Sequence, residues 1–177
     1  MTTHTGTETD TQVDSRSSRA DAAILFVRVV IGALFIGHGT GKLFGWFGQP
    51  GVNGTAAFFK SVGYEPAHTL AIFAGVAETV AGVLLVLGLL VPLAAGGIIG
   101  DMVNAAWVKS PHGFWISGNG FEYEFFVIIT MLTLTVAGAG AFALDRNRNW
   151  FGNRVGAVVV AVVVGAISGG VFAFLRN

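Results

Sequence analysis

Long apolar runs, separated by short glycine-rich or polar stretches, dominate the pattern of this chain. Five runs predict helices at residues 22–44, 67–90, 92–108, 122–144 and 155–175. At a rise of about 1.5 Å per residue, the first run spans roughly 34 Å, enough to cross a hydrocarbon core of about 30 Å. The pattern therefore predicts an all-α, membrane-embedded protein, in which four helices form a bundle and a fifth crosses the membrane at the C-terminal end.

The first predicted helix carries cations at membrane depth. Arg28 and Lys42 share one stripe of it with Gly32 and Gly39, and His38 lies beside that stripe. A cation in hydrocarbon costs several kcal/mol, so it faces the protein interior or a watery cavity and requires a partner. Glycines on the same stripe allow a second helix to approach closely. The pattern predicts that neighbouring spans supply carboxylates at matching depth.

Composition agrees with a membrane protein. Hydrophobic residues make up 53% of the chain and charged residues only 11%, with a mean hydropathy of +0.70. Soluble domains carry about 25% charged residues. The formal net charge of zero leaves no basic surface for nucleic acid. The chain has no cysteine, so any redox chemistry here requires a bound cofactor or a partner protein.

Charge distribution predicts the orientation. Residues 1–21 are polar and are expected to form a disordered tail, because they contain too little apolar surface to bury. The densest basic cluster is the short loop that carries Arg146, Arg148 and Arg154. The positive-inside rule puts this loop in the cytoplasm, and counting back over four spans puts the N-terminus there too. The expected location is the cell inner (plasma) membrane.

Four polar residues are expected to form an inner layer near the membrane midplane: Arg28, Glu78, Asp101 and Asn104. One interpretation is an interhelical ion-pair network that fixes packing. The other is a catalytic site that handles protons or substrate, since ionisable groups inside a membrane are functional candidates. Two carboxyls against one arginine leave one carboxyl uncompensated, and Glu78, the deeper one, is expected to be protonated.

An outer layer is expected from His38 and Lys42 with Glu122, Tyr123 and Glu124, and Asn119 lies on a neighbouring loop. The simpler interpretation is a lysine that extends to the interface and a histidine bonded to a neighbour. The functional interpretation is a ligand-binding site for an anion or a quinone headgroup. A b-type haem fits poorly, because His38 is the single histidine in the interior of a predicted span, while His68 and His112 are near helix ends. No sequence motif supports a metal site.

These residues lie in segments that resemble the DoxX family of small bacterial membrane proteins. The segments are Arg28, HGTGKLFG at 38–45, GVAETVAGVLLVLGL around Glu78, DMVNA at 101–105, NGFEYEF at 119–125 and GAGAFALDR ending at Arg146. The resemblance covers residues 22–146 and implies a four-helix membrane bundle. The tail at residues 1–21 and the arginine-containing loop with the fifth helix at 147–177 lie outside it.

The resemblance implies membrane redox or quinone linkage, since relatives look like the small subunit of a thiosulfate:quinone oxidoreductase. Others are associated with membrane redox complexes that handle oxidative or thiol stress. The first hypothesis is therefore a quinone-linked redox protein, or the membrane subunit of an oxidoreductase complex. The second is a non-enzymatic accessory or assembly subunit of a larger membrane complex. A transporter ranks last, because the chain shows no clear inverted repeat. Expected partners are the lipid bilayer and other membrane or redox subunits.

Overall fold

A computed structural model gives the fold of residues 6–148 and 150–176, and this part of the chain is helical throughout its regular structure. The α-helices are α1 Gly6–Phe44, α2 Gly51–Ser61, α3 Ala67–Leu87, α4 Val91–Lys109, α5 Glu122–Ala137 and α6 Arg154–Phe174. Short 3-10 helices lie at Trp46–Gly48, Ser110–His112 and Ile116–Gly118. The predicted all-α fold class is confirmed.

Helix α1 begins upstream of the predicted start at residue 22. It is continuous from Gly6, so the segment expected to be a disordered tail is helical from that residue onward. The part of the tail at residues 1–5 lies outside the described residues. Extension of an existing helix adds one hydrogen bond for each residue that is fixed, which explains how a stable apolar helix extends into polar sequence.

Two pairs of glycines set the contact between α1 and α3. A Cβ atom built on Gly32 would lie 2.7 Å from the carbonyl oxygen of Gly82, and one on Gly39 would lie 2.5 Å from that of Gly75. Such close backbone approach is the role that small residues have at helix interfaces in membranes. The two pairs follow a single antiparallel register, which fixes the height of every other side chain on these two helices.

Helix α4 lies between the other helices and contacts α3, α5 and α6. Its contact with α6 also uses small residues, since a Cβ on Gly96 would lie 2.8 Å from the carbonyl oxygen of Ala161. On α6, Gly165 and Gly169 are buried against α4. Helix α6 therefore presents a glycine contact face, and α4 is its partner.

Helix α5 is shorter than predicted. It ends at Ala137, not at residue 144, because Gly138 has a φ of 92°, which interrupts the helical backbone. Sixteen residues span about 24 Å, which is less than a hydrocarbon core of about 30 Å. The irregular segment 138–148 follows the end of α5 and contacts the end of α3, where the backbone N–H of Leu144 donates a hydrogen bond to the carbonyl oxygen of Leu87 at 3.2 Å.

Four helical stretches of the described chain have the length and apolar character of a membrane span. They are Ser18–Phe44, Ala67–Leu87, Val91–His112 and Arg154–Phe174. The outward faces of these helices expose large apolar side chains, such as Phe26, Phe73 and Ile167. The chain is therefore a multi-pass membrane protein whose bundle contacts lipid.

Candidate functional site

A salt bridge in the middle of the bundle joins α1 to α3. The Nζ atom of Lys42 donates a hydrogen bond to Oε1 of Glu78. Glu78 is the twelfth of the 21 residues of α3, and its side chain is only 3% exposed. The lysine of the first helix therefore has a carboxylate partner on a neighbouring span, as the sequence predicts.

The carboxyl group of Asp101, on α4, lies within hydrogen-bonding reach of the Glu78 carboxyl. Oε2 of Glu78 and Oδ2 of Asp101 are both buried and have no hydrogen-bond partner among the described residues. Glu78 and Asp101 therefore form a pair of neighbouring carboxyl groups inside the bundle.

Two further side chains complete what we call the central cluster: Lys42, Glu78, Asp101, His38 and Tyr123. His38 of α1 lies close enough to Lys42 and Asp101 to be affected by their charges. Tyr123 of α5 lies similarly close to Glu78, Asp101 and Lys42. Helices α1, α3, α4 and α5 thus each contribute at least one ionisable side chain to a single cluster.

The helix register corrects the prediction of two separate layers. In the α1–α3 register, Glu78 is at the same height as Ile36, which is four residues after Gly32. Lys42 lies six residues beyond this level, and its side chain leans back toward the N-terminus of the helix, as helical side chains do. Arg28 lies eight residues, or roughly 12 Å, on the other side. Glu78 and Asp101 therefore belong with Lys42 and His38, and the predicted grouping with Arg28 is wrong.

Arg28 is fully buried and binds backbone carbonyl groups instead. Its Nη1 donates to the carbonyl oxygen of Ala139 at 2.7 Å, and its Nη2 to that of Phe142 at 3.3 Å. Both carbonyls belong to the irregular segment 138–148, which lacks helical hydrogen bonds. Backbone polar groups in a membrane need internal partners, so Arg28 supplies donors at the point where α5 ends too early.

We expect Arg28→Gln to lower the free energy of unfolding by about 2 kcal/mol, because buried carbonyl groups lose their donors. Trypsin should also cleave faster after Arg146 and Arg148, in the segment that Arg28 holds. Thermal unfolding in detergent and limited proteolysis measure both effects. Arg19→Gln, on an exposed position of the same helix, is the control; equal behaviour of the two variants would contradict this role.

A cavity of about 220 Å³ adjoins the central cluster. It lies between α3, α4 and α6, and Glu78 and Asp101 are part of its wall. The rest of the wall is mostly apolar and includes Gly97 and Ser168, and the rings of Phe73 and Phe172 meet near one end at 6.1 Å. Both carboxylate-bearing residues therefore border this cavity, although Oε2 of Glu78 and Oδ2 of Asp101 are themselves buried.

The DoxX family model matches residues 23–110 of this chain. The chain belongs to the DoxX family. No curated protein and no solved structure matches it. The DoxX match includes His38, Lys42, Glu78 and Asp101, but it ends before Tyr123. The resemblance suggested by the sequence between residues 111 and 146 lies beyond the match and stays a prediction.

Three predicted ligand-binding residues of this DoxX protein lie outside the central cluster. Oε2 of Glu122 accepts a hydrogen bond from the backbone N–H of Ile116 at 2.9 Å, within the α4–α5 connection. Asn119 is exposed and has a φ of 61°, so it forms a turn of the same connection. Asn104 accepts a hydrogen bond from the hydroxyl of Tyr64. These contacts stabilise connections and do not place the residues near Glu78.

Tyr64 itself lies between α2 and α3, outside the spanning helices, and is 1% exposed. Burial raises the pKa of its hydroxyl above the ordinary value, against the opposing charge of Arg176 and the hydrogen bond to Asn104. The neutral hydroxyl is therefore the form that pairs with Asn104. This pair attaches the second half of α4 to the connection between α2 and α3.

The sequence places Glu124 in the outer layer but does not predict its ion pair with Lys109 at the end of the bundle. Nζ of Lys109 lies 2.6 Å from Oε1 of Glu124, whose side chain is 4% exposed, while that of Lys109 is 42% exposed. Oε2 of Glu124 is buried without a partner among the described residues. Glu124 also lies close to Tyr123. The available signal was the pattern of acidic residues at 122 and 124, of which only the second faces the bundle.

Proposed function

We propose that this DoxX protein is the quinone-binding, proton-handling membrane component of an oxidoreductase complex. The observation that carries the proposal is the position of Glu78 and Asp101 in the wall of a cavity at the middle of α3 and α4. An apolar cavity of about 150 Å³ holds a benzene-sized ring. The cavity of about 220 Å³ is therefore large enough for a quinone ring beside the two carboxyl groups.

The location of the cavity suits a ligand that arrives through the membrane. Helices α3 and α6 both pack on α4, and in the described residues their mutual contact is limited. Phe73, in the cavity wall, is 58% exposed on the outer surface of the bundle. A lipid-soluble ring could therefore enter sideways between α3 and α6, without passing through water.

The proposed reaction is the reduction of a quinone, in which this chain supplies the protons and a partner subunit supplies the electrons. Reduction of one quinone to the quinol consumes two electrons and two protons. The Glu78–Asp101 pair, with Lys42 beside it, would deliver the protons to the two quinone oxygens and take replacements from water. The electrons would come from a redox centre carried by the partner subunit, since this cysteine-free chain cannot supply a thiolate-ligated one.

A path for the replacement protons is available on the same side of α5. Tyr123 lies near both the Glu78–Asp101 pair and Glu124, and Glu124 pairs with the half-exposed Lys109. Ionisable groups in sequence from a buried site to the surface are the arrangement that proton relays use in membrane proteins. We assign Tyr123 and Glu124 to that relay, together with His38 at the inner edge of the cluster.

Orientation is part of the proposal. The basic loop with Arg146, Arg148 and Arg154 would face the cytoplasm of a plasma membrane by the positive-inside rule. The N-terminus would then also be cytoplasmic, and the Lys109–Glu124 pair would open to the opposite side. Protons taken up through this pair would come from outside the cytoplasm. Accessibility of single introduced cysteines to a membrane-impermeant reagent, in intact cells, measures this orientation directly.

The test of binding uses a variant that fills the cavity. A Cβ on Gly97 would meet no atom within 4 Å, so Gly97→Leu should enter the cavity without displacing a helix. We expect wild-type protein in lipid nanodiscs to retain a ubiquinone or menaquinone analogue, and Gly97→Leu to lower its affinity at least tenfold. Glu78→Gln should lower the affinity less, because it keeps the shape of the cavity and removes only an ionisable group.

Gly170→Leu is the matched control, because Gly170 on α6 also has open space around it and lies outside the cavity wall. Equal quinone retention by Gly97→Leu and Gly170→Leu would contradict the proposed site. A protein that retains no quinone, yet purifies stably with a respiratory complex, would support the accessory-subunit hypothesis instead.

A further inference from the structure

A second and larger cavity lies at the opposite end of the bundle from Lys109. It has a volume of about 680 Å³ and is enclosed by the ends of α4, α5 and α6 and the segment that joins the last two. Its rim carries three arginines, Arg146, Arg148 and Arg154, and its apolar wall includes Val91 and Pro92. The lining of the cavity thus combines three cationic side chains with apolar residues.

The arginines of this rim have no carboxylate partner in the part of the chain that the structure describes. Its two salt bridges involve Lys42 and Lys109. Asp145, which also lines the cavity, accepts a hydrogen bond from the backbone N–H of Leu90 at 2.8 Å. Its charge also interacts with that of the buried Arg28, which is outside this rim, so the guanidinium groups of the rim are available to an external anion.

Two local contacts position the guanidinium groups at the rim. The guanidinium of Arg148 lies over the ring of Trp150 at 5.2 Å, which restricts its motion by cation–π attraction. Arg146 donates one hydrogen bond to the carbonyl oxygen of Ala141 at 3.3 Å and retains its other donors. Both side chains are exposed, so they can reach a ligand without displacing any helix.

We infer that this cavity binds a phosphate-bearing anion. Guanidinium groups match phosphate oxygens with paired hydrogen bonds, so three of them on one rim provide the charge and the donors that a phosphate requires. The rim lies where α6 leaves the membrane, and the apolar wall behind it suits the attached chains of a lipid. Basic pockets of this kind between spanning helices bind anionic lipid headgroups. A soluble phosphate ester has the same recognition chemistry.

This inference is independent of the quinone proposal, because the two cavities share no wall residue. The positive-inside rule alone would explain why three arginines lie in this loop, but it does not explain the cavity behind them. Lipid binding accounts for both the charge and the cavity. The site also extends beyond the DoxX match, which ends at residue 110, and includes the start of the last helix.

The experiment measures how much phosphatidylglycerol the full chain retains after purification in detergent, by native mass spectrometry, with phosphatidylcholine as the neutral comparison. We expect the wild-type protein to retain phosphatidylglycerol selectively. Arg146→Gln, Arg148→Gln and Arg154→Gln should each lower its affinity about fivefold. Arg19→Gln is the matched control, because it removes an exposed cation of the same bundle end without altering the cavity rim.

A second arm identifies the source of the phosphate. Inorganic phosphate that binds with the same dependence on the three arginines, when phosphatidylglycerol does not, would indicate a soluble phosphate ester as ligand. Equal retention by the three rim variants and Arg19→Gln, for both ligands, would overturn the inference. Circular dichroism and elution volume check the fold, and the exposed single substitutions keep the test valid if the triple variant fails to fold.

Discussion

Gly39→Ala is expected to lower the free energy of unfolding by about 3 kcal/mol, although it adds a single methyl group. The added carbon would lie 2.5 Å from the carbonyl oxygen of Gly75 and 2.6 Å from the backbone nitrogen of Thr79. Both are backbone atoms of α3, so neither can rotate away. The helices must separate, and this displaces Lys42 from Glu78. Thermal unfolding in mild detergent, followed by circular dichroism, measures the loss.

Gly37→Ala is the control for this prediction, because it lies on the same helix and its added carbon would meet nothing within 4 Å. Alanine favours the helical backbone over glycine by about 1 kcal/mol. We therefore expect Gly37→Ala to be neutral or slightly stabilising. The prediction would be wrong if both variants changed stability by the same amount, since backbone contact would then not determine the α1–α3 distance.

Lys42→Met is expected to lower the free energy of unfolding by about 3 kcal/mol, because it leaves the buried Glu78 and Asp101 without a cation. Adding Glu78→Gln to this variant should restore part of the loss, since it removes one of the uncompensated carboxyls. The difference defines an interaction energy of about 2 kcal/mol in a double-mutant cycle. Thermal melts of the four proteins at neutral pH provide the measurement.

Lys60→Met is the matched substitution for this cycle, because Lys60 is exposed on α2. Exposed substitutions of this kind change stability by less than about 0.5 kcal/mol. If Lys42→Met had an effect this small, or if Glu78→Gln had the same effect with and without Lys42, the ion pair would not stabilise the central cluster. Lys42 could then not be assigned to the proposed proton site.

Local patterns in the sequence were sufficient for the membrane character and the position of most helices. The observed ends of α3, α4 and α6 lie within three residues of the predicted ends, because apolar length and helix-breaking residues are properties of adjacent positions. The exceptions are α1, which begins at Gly6 and not at residue 22, and α5, where Gly138 and Gly140 end the helix early. The sequence does show this pair of glycines within an apolar run. Such pairs also occur inside packed membrane helices, so the pair alone does not predict that the helix ends.

Pairing of the ionisable residues required the structure. The sequence predicts that a cation on the first helix meets carboxylates from other spans, and Lys42 does meet Glu78 and Asp101. It does not predict which cation does so, because depth counted along each helix ignores the register between helices. A shift of a few residues in the α1–α3 register moves a side chain by several ångströms along the helix axis. Such a shift decides whether Lys42 or Arg28 lies beside the carboxylates.

The sequence by itself determined that this DoxX chain is a helical membrane protein with small-residue contact faces and buried charges that need partners. Hydropathy and helical periodicity report these features because each depends on neighbours within one helix. Only the tertiary structure decided that Arg28 holds the carbonyls of the segment 138–148 and that Asn104 pairs with Tyr64. It likewise placed Glu78 beside a cavity. These contacts join residues distant in sequence, and the close approach of glycine backbones sets which of them meet.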